Sequence, residues 1–104
     1  VVLLDCLTLW VANLLFGFEE QGNSSPGSGC AQEEVLAKVE EMVDVARSSP
    51  FSTIVVSNEV GCGVVPSFPS GRAFRDVVGM ANQVVAREAD EVWFTVAGLP
   101  WRLK

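Results

Sequence analysis

Val1-Val2-Leu3-Leu4-Asp5-Cys6, followed by LTLWVANLLFGF over residues 7–18, reads as a short strand running straight into a helix. Four consecutive apolar residues without polar alternation suit a buried strand, and Leu7, Trp10, Val11, Leu14, Leu15 and Phe18 recur at helical spacing. Asp5 then falls at the carboxyl end of the strand, where open α/β sheets hold ligands and where NTPases keep an acidic magnesium residue. No Met and no lead-in precede Val1, so the expectation is the second half of a longer protein, with part of its active site outside these residues.

Working outward, residues 19–29 (EEQGNSSPGSG) are polar and rich in Gly and Ser, the composition of a mobile surface connection. Residues 31–47 return to a helical period through Val35, Leu36, Val39, Met42, Val43 and Ala46. Glu33 and Glu34 are expected in the first turn and Arg47 in the last, as the macrodipole favours. Ser48-Ser49-Pro50 ends that helix, and Thr53-Ile54-Val55-Val56 is a β-branched run with the pattern of a strand buried on both faces. Residues 57–71 form the longest irregular stretch directly after a strand and are expected as loop at the ligand edge. A second amphipathic helix follows from about Arg72 to Ala89, with Phe74, Val77, Val78, Ala81 and Val85 inward and Arg72 spaced to pair with Asp76. Gly79 inside it suggests close helix packing. EVWFTV, residues 91–96, is a third strand, Gly98-Leu99-Pro100 a turn, and the last residues a piece that turns back as an antiparallel edge. The order is α/β, with helices long enough for right-handed crossovers between mostly parallel strands.

With 104 residues, 49% of them hydrophobic, the chain is one domain or part of one. A net charge of -6 with seven Lys and Arg argues against a nucleic-acid groove, and no segment is long and apolar enough to span a membrane. Cys6, Cys30 and Cys62 are odd in number and form no C-x-x-C pair, and no His completes a zinc site. They suit a reduced, cytoplasmic protein, with small buried hydrophobes as their ordinary role and a cleft between Cys6 and Cys62 as the alternative.

Several chemistries are absent from these residues. Gly61-Cys62-Gly63 begins a dinucleotide fingerprint, but its third glycine falls on Pro66, which has no backbone N–H for a pyrophosphate. No G-x-x-x-x-G-K-[ST] occurs, and without His no Ser-His or Cys-His nucleophile can be assembled. What remains is Asp5, and Asn58 with Glu59, at strand ends. Asp5 reads either as a helix cap before Leu7 or as a magnesium or nucleotide contact. Asn58 and Glu59 read either as loop hydrogen bonding or as site lining, and Arg72 and Arg75 either as solvated helix charges or as phosphate partners.

The stretches VVLLDCLTLWVANLLF, VVSNEVGCGVVP, FRDVVGMANQ and ADEVWFTVAGLPWRLK, in this order, resemble the C-terminal part of the bifunctional adenosylcobinamide kinase / adenosylcobinamide-phosphate guanylyltransferase family of cobalamin biosynthesis. Ser57-Asn58-Glu59-Val60-Gly61-x-Gly63-Val64-Val65-Pro66, followed by Phe74-Arg75-Asp76 and then Asn82-Gln83, is its most specific part. The resemblance implies that residues 1–104 are the C-terminal part of one RecA-like P-loop NTPase domain, a mostly parallel sheet with flanking helices. Its phosphate loop and GMP-accepting His would lie upstream, leaving no catalytic residue of the family's set here. It further implies ATP or GTP with Mg2+, adenosylcobinamide and its phosphate as substrates, no nucleic acid, a cytoplasmic location and a homotrimer. Asp5 matches the family's acidic nucleotide contact, commonly Glu, and Asn58 and Glu59 fall on its Asn-Glu-Val-Gly motif. Departures are Cys62, where Met is common, and Ser67 to Gly71, where Pro69 and Gly71 stand against an early helix start. Two other classes stay open: a non-catalytic α/β binding or assembly module, and another P-loop kinase or the unrelated nucleotidyltransferase that replaces the transfer step in some organisms.

Overall fold

The computed structural model describes residues 1–20 and 29–104. In chain order these form β1 (Val2–Asp5), α1 (Leu7–Glu20), α2 (Gly29–Ser48), β2 (Thr53–Val56), α3 (Pro69–Glu88), β3 (Trp93–Val96) and β4 (Leu99–Arg102). The α/β class holds, and the strand at residues 53–56 lies where its β-branched run predicts it. Most of the 19–29 connection lies outside the described residues.

The core is built by the helices. Leu7, Val11 and Leu15 of α1, Ala31, Val35 and Val39 of α2, and Val77, Val78 and Ala81 of α3 are wholly buried together. Their spacing of three and four residues puts each set on one stripe, and branched or small side chains let the three helices close on one another. β1 and β2 pair in parallel with Leu3 opposite Ile54, Leu4 opposite Val55 and Asp5 opposite Val56. Leu4 and Val55 pack onto the helical core. Because side chains alternate along a strand, Leu3, Ile54 and Val56 point the other way and are 61%, 53% and 41% exposed. The expectation of a strand buried on both faces is therefore corrected: the helices cover one face of the pair.

The third strand also differs from expectation. β3 pairs with β4 in an antiparallel hairpin, a second two-stranded sheet separate from β1–β2 among the described residues. The connection is the two residues Ala97 and Gly98, both with positive φ (51° and 75°), which matches the right-handed twist of the flanking strands. The turn is thus one residue earlier than Gly98-Leu99-Pro100, and Leu99 and Pro100 belong to the antiparallel edge. Glu91 ties the hairpin together: its carboxylate accepts from Trp93 Nε1 at 3.0 Å and from Arg102 at 3.5 Å, while the Arg102 guanidinium lies 5.6 Å from the Trp93 ring centre. Lys104 Nζ donates to the carbonyls of Ala86 and Arg87 at 3.2 and 2.8 Å, placing a cation on the C-terminal end of α3.

α2 begins at Gly29, so Glu33 and Glu34 lie beyond its first turn while Arg47 remains in its last. α3 begins at Pro69 rather than near Arg72. The ring of Pro69 costs nothing there, because the first helical N–H has no intrahelical partner and φ is already helical. Phe68, extended at φ -110°, lays its ring against Gly71, where a Cβ would sit 2.7 Å from Phe68 Cε2 and 2.8 Å from Pro66 Cβ. Glycine at 71 is what allows the loop to fold over the helix start. Gly79 has the opposite setting: a Cβ there meets nothing within 4 Å, so close helix packing is not its reason.

Candidate functional site

The carboxyl ends of β1 and β2 bring Asp5, Asn58 and Glu59 to one edge of the parallel pair. Asp5 sits at the last position of β1, opposite Val56. The chain then passes through a cis Asp5–Cys6 peptide into α1. The helix is capped by sulfur, with Leu9 N–H donating to Cys6 Sγ at 3.5 Å. Asp5 thus takes no part in capping, and its exposed carboxylate has no partner among the described residues. Cys6 is half-buried and Cys62 is exposed, so the buried-hydrophobe reading does not hold for Cys62.

Residues 57–68, leaving β2, are tied down at four places. Asn58 N–H donates to Thr8 Oγ1 at 2.9 Å, and Asn82 Nδ2 donates to the Asn58 carbonyl at 3.0 Å. Ser57 Oγ lies 2.5 Å from Asn82 Oδ1 and 3.3 Å from Thr8 Oγ1. Further along, Glu59 Oε1 accepts from Gly61 N–H at 2.6 Å, folding its carboxylate back onto its own loop, and Arg75 donates to the Gly61 carbonyl at 2.6 Å. Arg72 donates to the Pro66 carbonyl at 3.1 Å in place of the expected pair with Asp76. Both arginines anchor the loop through a backbone carbonyl, Arg72 from an exposed position and Arg75 from a half-buried one. Glu59 thus makes a hydrogen bond within its own loop, whereas the Asn58 carboxamide has no partner among the described residues and is exposed.

Two concavities flank this loop. One, of about 400 Å3, is apolar, with Phe16 and Phe74 stacked at 6.3 Å between ring centres and Phe68 opposite. The other, of about 430 Å3, is more polar, with Gln32, Glu59, Asp76 and Gln83 among its lining residues beside Gly79 and Met80. Arg75 belongs to both walls, and neither concavity includes Asp5 or Asn58. The strand edge, with a free carboxylate and a free carboxamide, is therefore the better candidate for contacts to a polar ligand.

Residue type alone does not point to Thr8, and Ser57 and Asn82 stand out only as members of the motif. The signal available was spacing alone, Ser57-Asn58 followed at a fixed interval by Asn82. Among the described residues no group of three or more His, Cys, Asp or Glu side chains could hold a metal ion, and no helix is long and apolar enough to cross a membrane.

A model of the family CobU, cobinamide kinase / cobinamide phosphate guanyltransferase, matches residues 1–103. The bifunctional adenosylcobalamin biosynthesis protein CobU of Escherichia coli K12 is 36% identical over 105 residues, covering 100% of this chain and 58% of that protein. The bifunctional adenosylcobalamin biosynthesis protein CobP of Pseudomonas aeruginosa PAO1 is 37% identical over 103 residues, covering 99% of this chain and 53% of that protein. The chain thus spans little more than half the length of these curated relatives. With the family match running over residues 1–103, and relatives 36–37% identical over nearly the whole chain, the chain belongs to the cobinamide kinase / cobinamide phosphate guanyltransferase family.

Proposed function

We propose that these residues are the C-terminal part of an enzyme of nucleotide-loop assembly in cobalamin biosynthesis. It phosphorylates the aminopropanol hydroxyl of adenosylcobinamide with ATP or GTP, and it then transfers GMP from GTP to adenosylcobinamide phosphate. In the transfer a bond forms between the α-phosphorus of GTP and the acceptor phosphate, by way of a histidine upstream, and pyrophosphate leaves. The family match over residues 1–103 carries the reading. The domain is RecA-like in this proposal, with the phosphate loop and the GMP-accepting His supplied by the preceding part of the same protein, which works in the cytoplasm as a homotrimer.

Within that enzyme Asp5 contacts the guanine nucleotide, and Asn58 and Glu59 line the site. Magnesium arriving with the nucleotide would offset phosphate charge. A single carboxylate at the strand edge suits it, because magnesium keeps most of its ligands as waters and phosphate oxygens. Asp5, exposed and without a partner among the described residues, is the residue that would hold it.

The test uses the full-length protein. Adenosylcobinamide with ATP or GTP, then adenosylcobinamide phosphate with GTP, are incubated and the products resolved by mass spectrometry. Adenosylcobinamide-GDP and pyrophosphate in equal amounts are expected. Turnover of neither acceptor by a folded preparation would overturn the proposal.

A further inference from the structure

We infer that Thr8, Ser57 and Asn82 form a one-way ring of hydrogen bonds that fixes the Asn58 peptide at the strand edge that carries Asp5. They are positioning residues for Asn58, which makes the ligand contact. This role rests on the function proposed above.

The direction of every link follows from proton inventory. The Asn58 carbonyl can only accept, so the group of Asn82 facing it at 3.0 Å is the NH2, and the Asn82 oxygen faces Ser57. That oxygen carries no hydrogen, so the single hydroxyl hydrogen of Ser57 goes to it across 2.5 Å. At the 3.3 Å contact between Thr8 and Ser57 the donor must then be Thr8. The Thr8 oxygen in turn accepts from Asn58 N–H at 2.9 Å. The circuit runs from Asn58 N–H through Thr8, Ser57 and Asn82 back to the Asn58 carbonyl, and all of its bonds polarise in the same sense.

Three elements contribute: the first turn of α1, the residues leaving β2, and the middle of α3. Both backbone groups of Asn58 are thereby held by side chains of two different helices. Its own carboxamide is left without a partner among the described residues. Backbone groups outside helices and strands need partners from side chains or water; here the ring supplies both for Asn58 and so fixes where its carboxamide stands.

The experiment uses the full-length protein. Thr8→Val keeps the shape and removes two links, Thr8→Ser keeps the hydroxyl, and Asn82→Asp keeps the acceptor but sets a carboxylate against the Asn58 carbonyl. For GMP transfer, Thr8→Val and Asn82→Asp are expected to lower kcat by about 10-fold or more with KM for GTP within about 3-fold, whereas Thr8→Ser stays near wild type. Amide exchange at Asn58 should speed up by about 10-fold or more in Thr8→Val and Asn82→Asp, with the amide of buried Val78 unaffected. Unchanged exchange at Asn58 in Thr8→Val would show that no ring exists. Faster exchange with an unchanged kcat would leave the ring a loop brace and overturn the positioning role. If Asn82→Asp does not fold, the Val and Ser variants of Thr8 decide alone. If wild type transfers no GMP, the proposed function fails by itself, and the exchange measurements still decide whether the ring is there.

Discussion

At Asp5 the capping and ligand readings separate in the structure, because the cap of α1 is the sulfur of Cys6 and the carboxylate is left exposed without a partner among the described residues. Asp5→Asn preserves size and removes charge from a side chain that makes no bond among the described residues, so stability should move by less than about 0.5 kcal/mol. In the full-length enzyme GMP transfer should nevertheless fall by about 10-fold or more, about 1.4 kcal/mol of transition-state stabilisation. Thermal melting and turnover, measured on one preparation, check both halves, and near-wild-type transfer would remove Asp5 from the nucleotide site. Ala97 offers a residue-scale test of the hairpin. It stands at φ 51° in a two-residue turn, where a Cβ crowds the following carbonyl. Asn tolerates that conformation without loosening the unfolded chain as Gly does. Ala97→Asn should therefore stabilise by about 0.5–1 kcal/mol, seen as a higher urea midpoint at constant slope. A lower midpoint would mean that the turn is not of this type.

Two glycines of one helix, α3, are expected to respond to alanine in opposite directions. Gly71→Ala drives a methyl into Phe68 and Pro66, both nearer than 3 Å to its Cβ, and should cost about 1–3 kcal/mol unless the loop lifts away. Gly79→Ala places its methyl in open space and gains helix propensity, for a stabilisation of about 0.5–1 kcal/mol. Paired denaturation curves of the two variants check this, and a loss at residue 79 comparable to that at 71 would show that something packs against Gly79 after all. The same helix shows how far elements were legible in sequence. The inward stripe of Val77, Val78 and Ala81 followed from period alone, because side chains three and four apart share a face whatever they pack against. The start of α3 did not. Pro69 and Gly71 read as breakers until the Phe68 ring over Gly71 explains both. Arg72 at four residues from Asp76 likewise read as an ion pair, yet the Pro66 carbonyl competes for the guanidinium and holds it at 3.1 Å. The candidate site was legible as residue types at strand ends, Asp5, Asn58 and Glu59. What holds Asn58 there was not, since Thr8 and Asn82 meet it across 50 and 24 residues of sequence and nothing local to either position announces the contact.

Across the whole molecule, the distribution of cations limits what the chain can bind. Of seven Lys and Arg residues, Arg72, Arg75 and Lys104 donate to backbone carbonyls, Lys38 pairs with Glu41 at 3.1 Å, Arg47 lies 3.8 Å from Glu88, and Arg102 pairs with Glu91 at 3.5 Å. Among the described residues Arg87 is the one cation whose side chain has neither a backbone nor a side-chain partner. The exposed pairs contribute at most about 1 kcal/mol each and could open, but a triphosphate recruiting them meets a net charge of -6. No phosphate loop of the G-x-x-x-x-G-K-[ST] type exists in these residues to provide backbone N–H groups instead. The 104-residue chain by itself should therefore bind GTP with magnesium more weakly than about 10 μM, a binding free energy short of about -7 kcal/mol. Calorimetric titration checks this on material whose helical circular dichroism confirms that α1, α2 and α3 are formed. The same titration of the full-length protein serves as the positive control. Tight binding by the folded 104-residue chain would mean that the phosphates are held here, at the edge carrying Asp5 and Asn58, and that the upstream part supplies chemistry rather than affinity.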